Sequence, residues 1–190
     1  MSRLHRESIK RQNRGGRVLA GLAACLMTAS LLAPANLWGG RKTDHGWELL
    51  AVAYPDGREV EVALGGSERA LSSQGACKVK WRDNVAALEL EIQNLPSPEQ
   101  LGWAGKQYVL WAIDSEKRAV NLGLLPLKST DATWKGQVSQ RIFGLLITAE
   151  RDPQAAVPSN AVVMESLLPR DPSLVVPVFR VELSLVPSAG

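Results

Sequence analysis

Histidine, cysteine, tyrosine and phenylalanine are each present only twice among 190 residues, and each shortage excludes something. Acid–base and nucleophilic catalysis near neutral pH leans on histidine or an activated thiol. His5 lies in a basic N-terminal stretch, and His45 sits in the polar segment Arg41-Lys42-Thr43-Asp44-His45-Gly46. A Ser-His-Asp or Cys-His site would therefore depend on His45 alone. Structural zinc needs about four Cys, His or carboxylate ligands, and the chain has neither CxxC nor HxxxH. The pairs Gly15-Gly16 and Gly65-Gly66 lack the strand-to-helix setting of a phosphate loop. Glu89 and Glu91, two apart on one strand face, read as solvated acids rather than a glycosidase pair. Asp114, Glu116, Glu150 and Asp152 are the acids that could converge on calcium, and they are equally ordinary strand-end residues. The sequence assigns no catalytic residue, no metal ligand and no cofactor, and the expectation is a protein that is not an enzyme.

Net positive charge outside the N-terminus is also missing. Arg3, Arg6, Lys10, Arg11, Arg14 and Arg17 face one acid, Glu7, so the net +3 of the chain divides into about +5 before residue 18 and about −2 after it. The folded part is near neutral, which argues against nucleic acid as a partner.

What the sequence does have begins with that cluster. It runs into an uncharged stretch, Val18 to Gly40, rich in Ala and Leu, with Ala33-Pro34-Ala35 before Asn36. A positive region, an apolar region and small residues at a cut site make a secretory signal. Three outcomes stay open: cleavage after Ala35; retention as an anchor, since about 20 apolar residues span a bilayer; and lipidation of Cys25, since Leu22-Ala23-Ala24-Cys25 has the shape of a lipobox. Cleavage would leave Cys77 alone, with no internal disulfide. Cys77 alternates with Lys78, Lys80 and Arg82 and reads as a small buried hydrophobe.

From Trp47 onward the apolar period is two. Trp47–Tyr54 and Glu59–Leu64 are joined by the turn Pro55-Asp56-Gly57-Arg58. Cys77, Val79 and Trp81 point one way and Lys78, Lys80 and Arg82 the other, and Leu88, Leu90 and Ile92 alternate with Glu89 and Glu91. Tyr108–Ile113 is a continuous apolar run, expected in mid-sheet with both faces buried. Further strands are expected at 119–125, 133–138, 143–149, 160–167 and 179–185. Nine or ten short strands at this spacing predict an all-β fold, an immunoglobulin-like β-sandwich of antiparallel strands, with a closed barrel as the alternative. The expected divisions are 1–35 as signal or anchor, 36–46 as linker and 47–190 as the sandwich.

Tyr108-Val109-Leu110-Trp111, Asn121-Leu122-Gly123, Thr148-Ala149-Glu150 and Pro158-Ser159 before Val162-Val163-Met164 resemble the extracytoplasmic domain of the anti-sigma-K factor family. The resemblance covers about Cys77 to Leu167. It implies a sandwich fold outside the cytoplasm. It does not extend to sigma-factor control, because only about seventeen residues precede the apolar stretch, and Arg151-Asp152-Pro153 stands where the family has Glu-Pro and a Gly-rich loop.

Six tryptophans are the compositional oddity. Trp81 and Trp111 fit inward positions, and Trp38 and Trp47 flank the apolar stretch at interface depth. Trp103 and Trp134 are the candidates for exposure, able to offer a flat face to a sugar or a protein. The function expected is an exported interaction or sensing module of the bacterial envelope, in the periplasm or held at the membrane. Its partner would be an envelope protein or a cell-wall glycan, the latter through Trp103 and Trp134. Intact mass of the extracted protein is expected to place the first residue at Asn36; a lipid-modified Cys25 or an uncleaved chain would report the other two outcomes.

Overall fold

The computed structural model describes residues 41–43 and 46–187, all within the unit Pro34–Gly190. Cys25, Ala35, Trp38 and both histidines lie outside the described residues. Among the described residues no helix is long and apolar enough to cross a membrane. Every regular element is a strand: Arg41–Thr43 (β1), Gly46–Ala53 (β2), Glu59–Gly66 (β3), Gln74–Arg82 (β4), Val85–Gln93 (β5), Gln107–Asp114 (β6), Ala119–Leu124 (β7), Leu127–Lys128 (β8), Asp131–Val138 (β9), Ile142–Glu150 (β10), Val162–Pro169 (β11) and Val178–Leu183 (β12). All pairings between these strands are antiparallel. They form one open sheet in the order β1-β2-β10-β11-β3-β4-β5-β9-β8, with β12 added on β2, β6 on β10 and β7 on β6.

The ten expected strands are all present, with ends shifted by a few residues. Two more were not read. Within the stretch expected as linker, Arg41, Lys42 and Thr43 pair with Glu48, Trp47 and Gly46. Leu127 and Lys128 pair with Ala132 and Asp131. Both strands are too short to show a period, so no alternation marks them in the sequence.

In β4 and β5 burial alternates strictly: Cys77, Val79, Trp81, Leu88, Leu90 and Ile92 are buried, and Lys78, Lys80, Glu89 and Glu91 are exposed. The two-residue turn Asp83-Asn84 has φ of 54° and 65°. Paired left-handed residues of this kind match the right-handed twist of a hairpin, and Asn and Asp adopt them at low cost. On the outer face the register sets Glu61 opposite Lys78, Lys78 opposite Glu89 and Glu89 opposite Lys135. Arg170 extends this alternating row by bonding Glu61 at 2.7 Å. The Lys135 ammonium, 2.7 Å from Glu89, holds that carboxyl below its usual range.

Strands β6 and β10 are buried on both faces, as the continuous apolar run of β6 predicts. Leu110, Ala112, Phe143, Leu145 and Ile147 join the larger core with the inner faces of β3, β4, β5 and β9. Val109, Trp111, Ile113 and Leu146 join a second cluster with Leu49 and Ala51 of β2 and Val181 and Leu183 of β12.

The two clusters meet where β10 changes partner. One edge of β10 pairs throughout with β6. The other pairs with β2 at Ile142 and Phe143, then with β11 from Leu146 to Thr148. Between them the Leu145 N–H donates to Ser166 Oγ at 2.8 Å, so the gap in the ladder leaves no orphan donor. At the same place a Cβ on Gly144 would lie 2.2 Å from the Leu50 carbonyl oxygen. Glycine is required there because β2 passes too close for any side chain.

The two ends of the sheet differ. Pro55–Arg58, Asp83-Asn84 and Ser115–Arg118 make tight turns at one end, while Ser67–Ser73, Asn94–Lys106 and Arg151–Ala161 make long loops at the other. Exposed edges are blunted in different ways. Gly123, at φ 100°, accompanies a register shift in β7, and Pro177 and Pro187 bracket β12; both devices discourage another chain from adding a strand.

Trp111 is completely buried, in contact with the second cluster. Trp111→Ala is expected to cost about 3–5 kcal/mol, which rivals the net stability of a small domain. Trp134→Ala, at a half-buried site, is expected to cost far less, and chemical denaturation of both variants checks the ranking.

Candidate functional site

The long loops are where a rigid sheet can present groups to a partner. The chain leaves β5 through Asn94, whose φ of 57° turns it sharply outward. Leu95 is buried beneath the turn, and its N–H donates to the Thr130 carbonyl at 2.7 Å. The Asn94 N–H donates to Asp131 Oδ1 at 3.3 Å, and Ser73 Oγ donates to the Asn94 carbonyl at 2.8 Å. Ser97 and Gln100 bond each other reciprocally: Ser97 N–H to Gln100 Oε1 at 2.8 Å, Gln100 N–H to Ser97 Oγ at 3.4 Å. Tyr108 Oη donates to the Pro96 carbonyl at 2.8 Å. Three segments distant in sequence are thereby tied together around a shallow open hollow of about 440 Å³, lined by Ser72, Asn94, Pro96, Gln100, Leu101 and Thr130. None of these six side chains is ionisable.

Trp103 stands in the same loop as Gln100 and Leu101. It is half-buried against the larger core, and the Arg69 guanidinium lies 5.4 Å from the ring centroid. This cation–π contact links the β3–β4 loop to the β5–β6 loop. Trp134 is also half-buried against that core, and its ring folds across Gly136, where a Cβ would come within 2.2 Å of it. The two rings read from the sequence as candidates for exposure are therefore each partly covered, one by a distant arginine and one by packing on its own strand. Trp47, expected at interface depth, is half-buried and donates from Nε1 to the Glu165 carboxylate.

A second polar constellation is internal. Trp111 Nε1 donates to Thr148 Oγ1 at 2.8 Å, Thr148 Oγ1 donates to Glu150 Oε1 at 2.5 Å, and the same carboxylate oxygen accepts the Ser159 N–H at 2.8 Å. All four residues are buried. The tryptophan, the Thr-x-Glu pair and the Pro-Ser corner singled out in the sequence are parts of one hydrogen-bonded chain, which fastens the β10–β11 loop to the second cluster. Asn121 adds to it, its side-chain amide donating to the Pro153 and Ala155 carbonyls at 3.0 and 2.9 Å.

The acids considered for calcium do not converge. Pairing of Phe143 with Asp114 and of Glu150 with Gln107 puts Asp114 and Glu150 at opposite ends of the β6–β10 ladder, seven steps or roughly 20 Å apart. Asp114 instead accepts the Glu116 and Arg118 N–H groups at 2.9 Å and Arg118 Nε at 2.6 Å, which raises the Arg118 pKa. Asp152 accepts the Gln154 N–H. Among the described residues no group of three or more His, Cys, Asp or Glu is placed to hold a metal ion.

No family model, curated protein or solved structure matches the chain. Sequence reading did not find the hollow. Its residues are ordinary loop residues, and the faint signals were the proline pair at 96 and 98 and a strand ending at an asparagine.

Cys77 is wholly buried, and burial pushes its thiol up to about 12. Burial also raises Tyr54 and Tyr108 above the usual phenol value. In each case the folded pKa exceeds the unfolded one, so the stability held by the neutral form is complete below the unfolded pKa and is lost as pH rises past it. Denaturation midpoints are expected to hold below about pH 9 and to fall above it. Cys77→Ala is expected to fall less steeply. Peptide mapping after thiol labelling is expected to find Cys77 unmodified until the domain unfolds.

Proposed function

We propose that the chain is an exported, non-catalytic interaction or sensing module of the bacterial envelope, an immunoglobulin-like β-sandwich that meets its partner through the long-loop end. The observation that carries this reading is the asymmetry of the sheet: tight turns at one end, and at the other two long loops, Ser67–Ser73 and Asn94–Lys106, cross-tied with the β8–β9 turn at Thr130 into a fixed frame around an uncharged hollow. Such a frame favours binding because the conformational cost of ordering its loops is met in folding rather than on association. The basic N-terminus followed by an uncharged stretch supports export, and the near-neutral remainder supports a partner recognised by shape and hydrogen bonding rather than by charge. The resemblance to the extracytoplasmic domain of anti-sigma-K factors agrees with this location and fold class. Recognition by bare tryptophan faces is the weaker form of the proposal, since Arg69 covers Trp103 and Trp134 folds over Gly136.

The test is cross-linking of the full chain, expressed in its own envelope, followed by identification of what is joined to it. The double change Gln100→Arg and Thr130→Arg is expected to abolish a specific cross-link, while Asp83→Ala and Glu116→Ala at the tight-turn end leave it intact. The opposite pattern would move the interaction to the other end. A reaction abolished by replacing Asp114, Glu150 or Asp152 would overturn the non-catalytic reading.

A further inference from the structure

The composition of the hollow narrows what it can hold. Two carboxamides, Asn94 and Gln100, and two hydroxyls, Ser72 and Thr130, face a space floored by Pro96 and Leu101. Carboxamides and hydroxyls supply both donors and acceptors without net charge. The bonds that shape the hollow leave most of that capacity free. Asn94 is held through its backbone N–H and carbonyl, and Thr130 through its carbonyl. Gln100 gives up one lone pair of Oε1 to Ser97, which orients its amide group while leaving the –NH₂ to donate. The frame is fixed by bonds from the Ser73, Ser97, Tyr108 and Asp131 side chains to the backbone and by the Arg69–Trp103 contact, and none of these uses the Asn94 side-chain amide, the Gln100 –NH₂ or the Thr130 hydroxyl. An ion would find no counter-charge in this lining. A purely apolar group would leave four polar side chains without solvent or partner, at a cost for each one buried. The chemistry that matches is an uncharged molecule with many hydroxyl or amide groups along its edge and an apolar C–H face for Pro96 and Leu101. A volume of about 440 Å³ falls in the usual range for small-molecule sites.

From this we infer that the hollow is a subsite for a neutral sugar unit of a glycan, held edge-on by Asn94, Gln100, Ser72 and Thr130 rather than stacked on Trp103 or Trp134. The inference rests on the proposed interaction function and gives that function its ligand class.

Calorimetry on the full chain in detergent, with chitotetraose and maltotetraose as neutral probes and tetragalacturonate as the charged one, tests it. At least one neutral probe is expected to bind and the charged probe to bind at least tenfold more weakly. Asn94→Gly, which keeps the left-handed backbone at that position, and Gln100→Ala are each expected to weaken the neutral probe tenfold or more with little change in melting temperature, and Trp134→Ala to leave binding unaltered. Gln100→Glu is expected to lose affinity although its size is kept, a result that mere packing would not give. Absence of binding by both neutral probes at millimolar concentration overturns the sugar subsite, as does equal binding of the charged probe. Dependence on Trp134 with indifference to Asn94 and Gln100 overturns it too. If the cross-link of the envelope partner still depends on Gln100 and Thr130 when no sugar binds, the interaction reading stands and the ligand class alone has failed.

Discussion

A β-strand has two edges, and β10 has three neighbours. Everything else in the fold accommodates that arithmetic. One edge is given wholly to β6, and the other is divided between β2 and β11. The division is possible because Ser166 supplies the acceptor missing from the ladder at Leu145, and because Gly144 lets the β2 backbone come in where a side chain would stand. Through β11 the sheet continues to β3, β4, β5 and β9 around the larger core, and through β2 it reaches β1 and β12 over the second cluster. Loss of either device would leave a buried N–H unpaired or force two strands apart, and in both cases the two clusters would no longer share a wall. Local hydrogen-bond accounting at three residues thus decides how many layers of apolar side chains the chain can close.

Much of this was legible in the sequence where the signal is local. Alternation in β4 and β5 and the unbroken run of β6 report burial on one face or two, because each side chain's facing follows from strand geometry. The branch at β10 was not legible: Gly144 and Ser166 become special only through Leu50 and Leu145, which meet them by folding. The same limit explains the tryptophans. Trp111 was placed correctly from its own strand, whereas the covering of Trp103 depends on Arg69, far away in sequence. Glu150 looked like a free strand-end acid and is instead occupied by Thr148 and Ser159.

The buried chain from Trp111 to Ser159 has a different logic from the hollow. Along that chain each donor has an acceptor, and the carboxylate of Glu150 ties the β10–β11 loop to β10. A network of this kind rigidifies because any member removed leaves another unsatisfied in a medium of low dielectric. At the long-loop end the backbone is equally well paired while the side chains at the rim are left over.

The row formed by Arg170, Glu61, Lys78, Glu89 and Lys135 has a meaning beyond register. Three positive and two negative charges alternate at the spacing of neighbouring strands, about 4.8 Å, so that all but one of them cancel within the row. Beyond the screening length of about 8–10 Å an approaching polymer or surface meets almost no potential from this face. With one charge left uncancelled and salt screening what remains, the flank carrying this row gives an approaching neighbour little long-range pull or push.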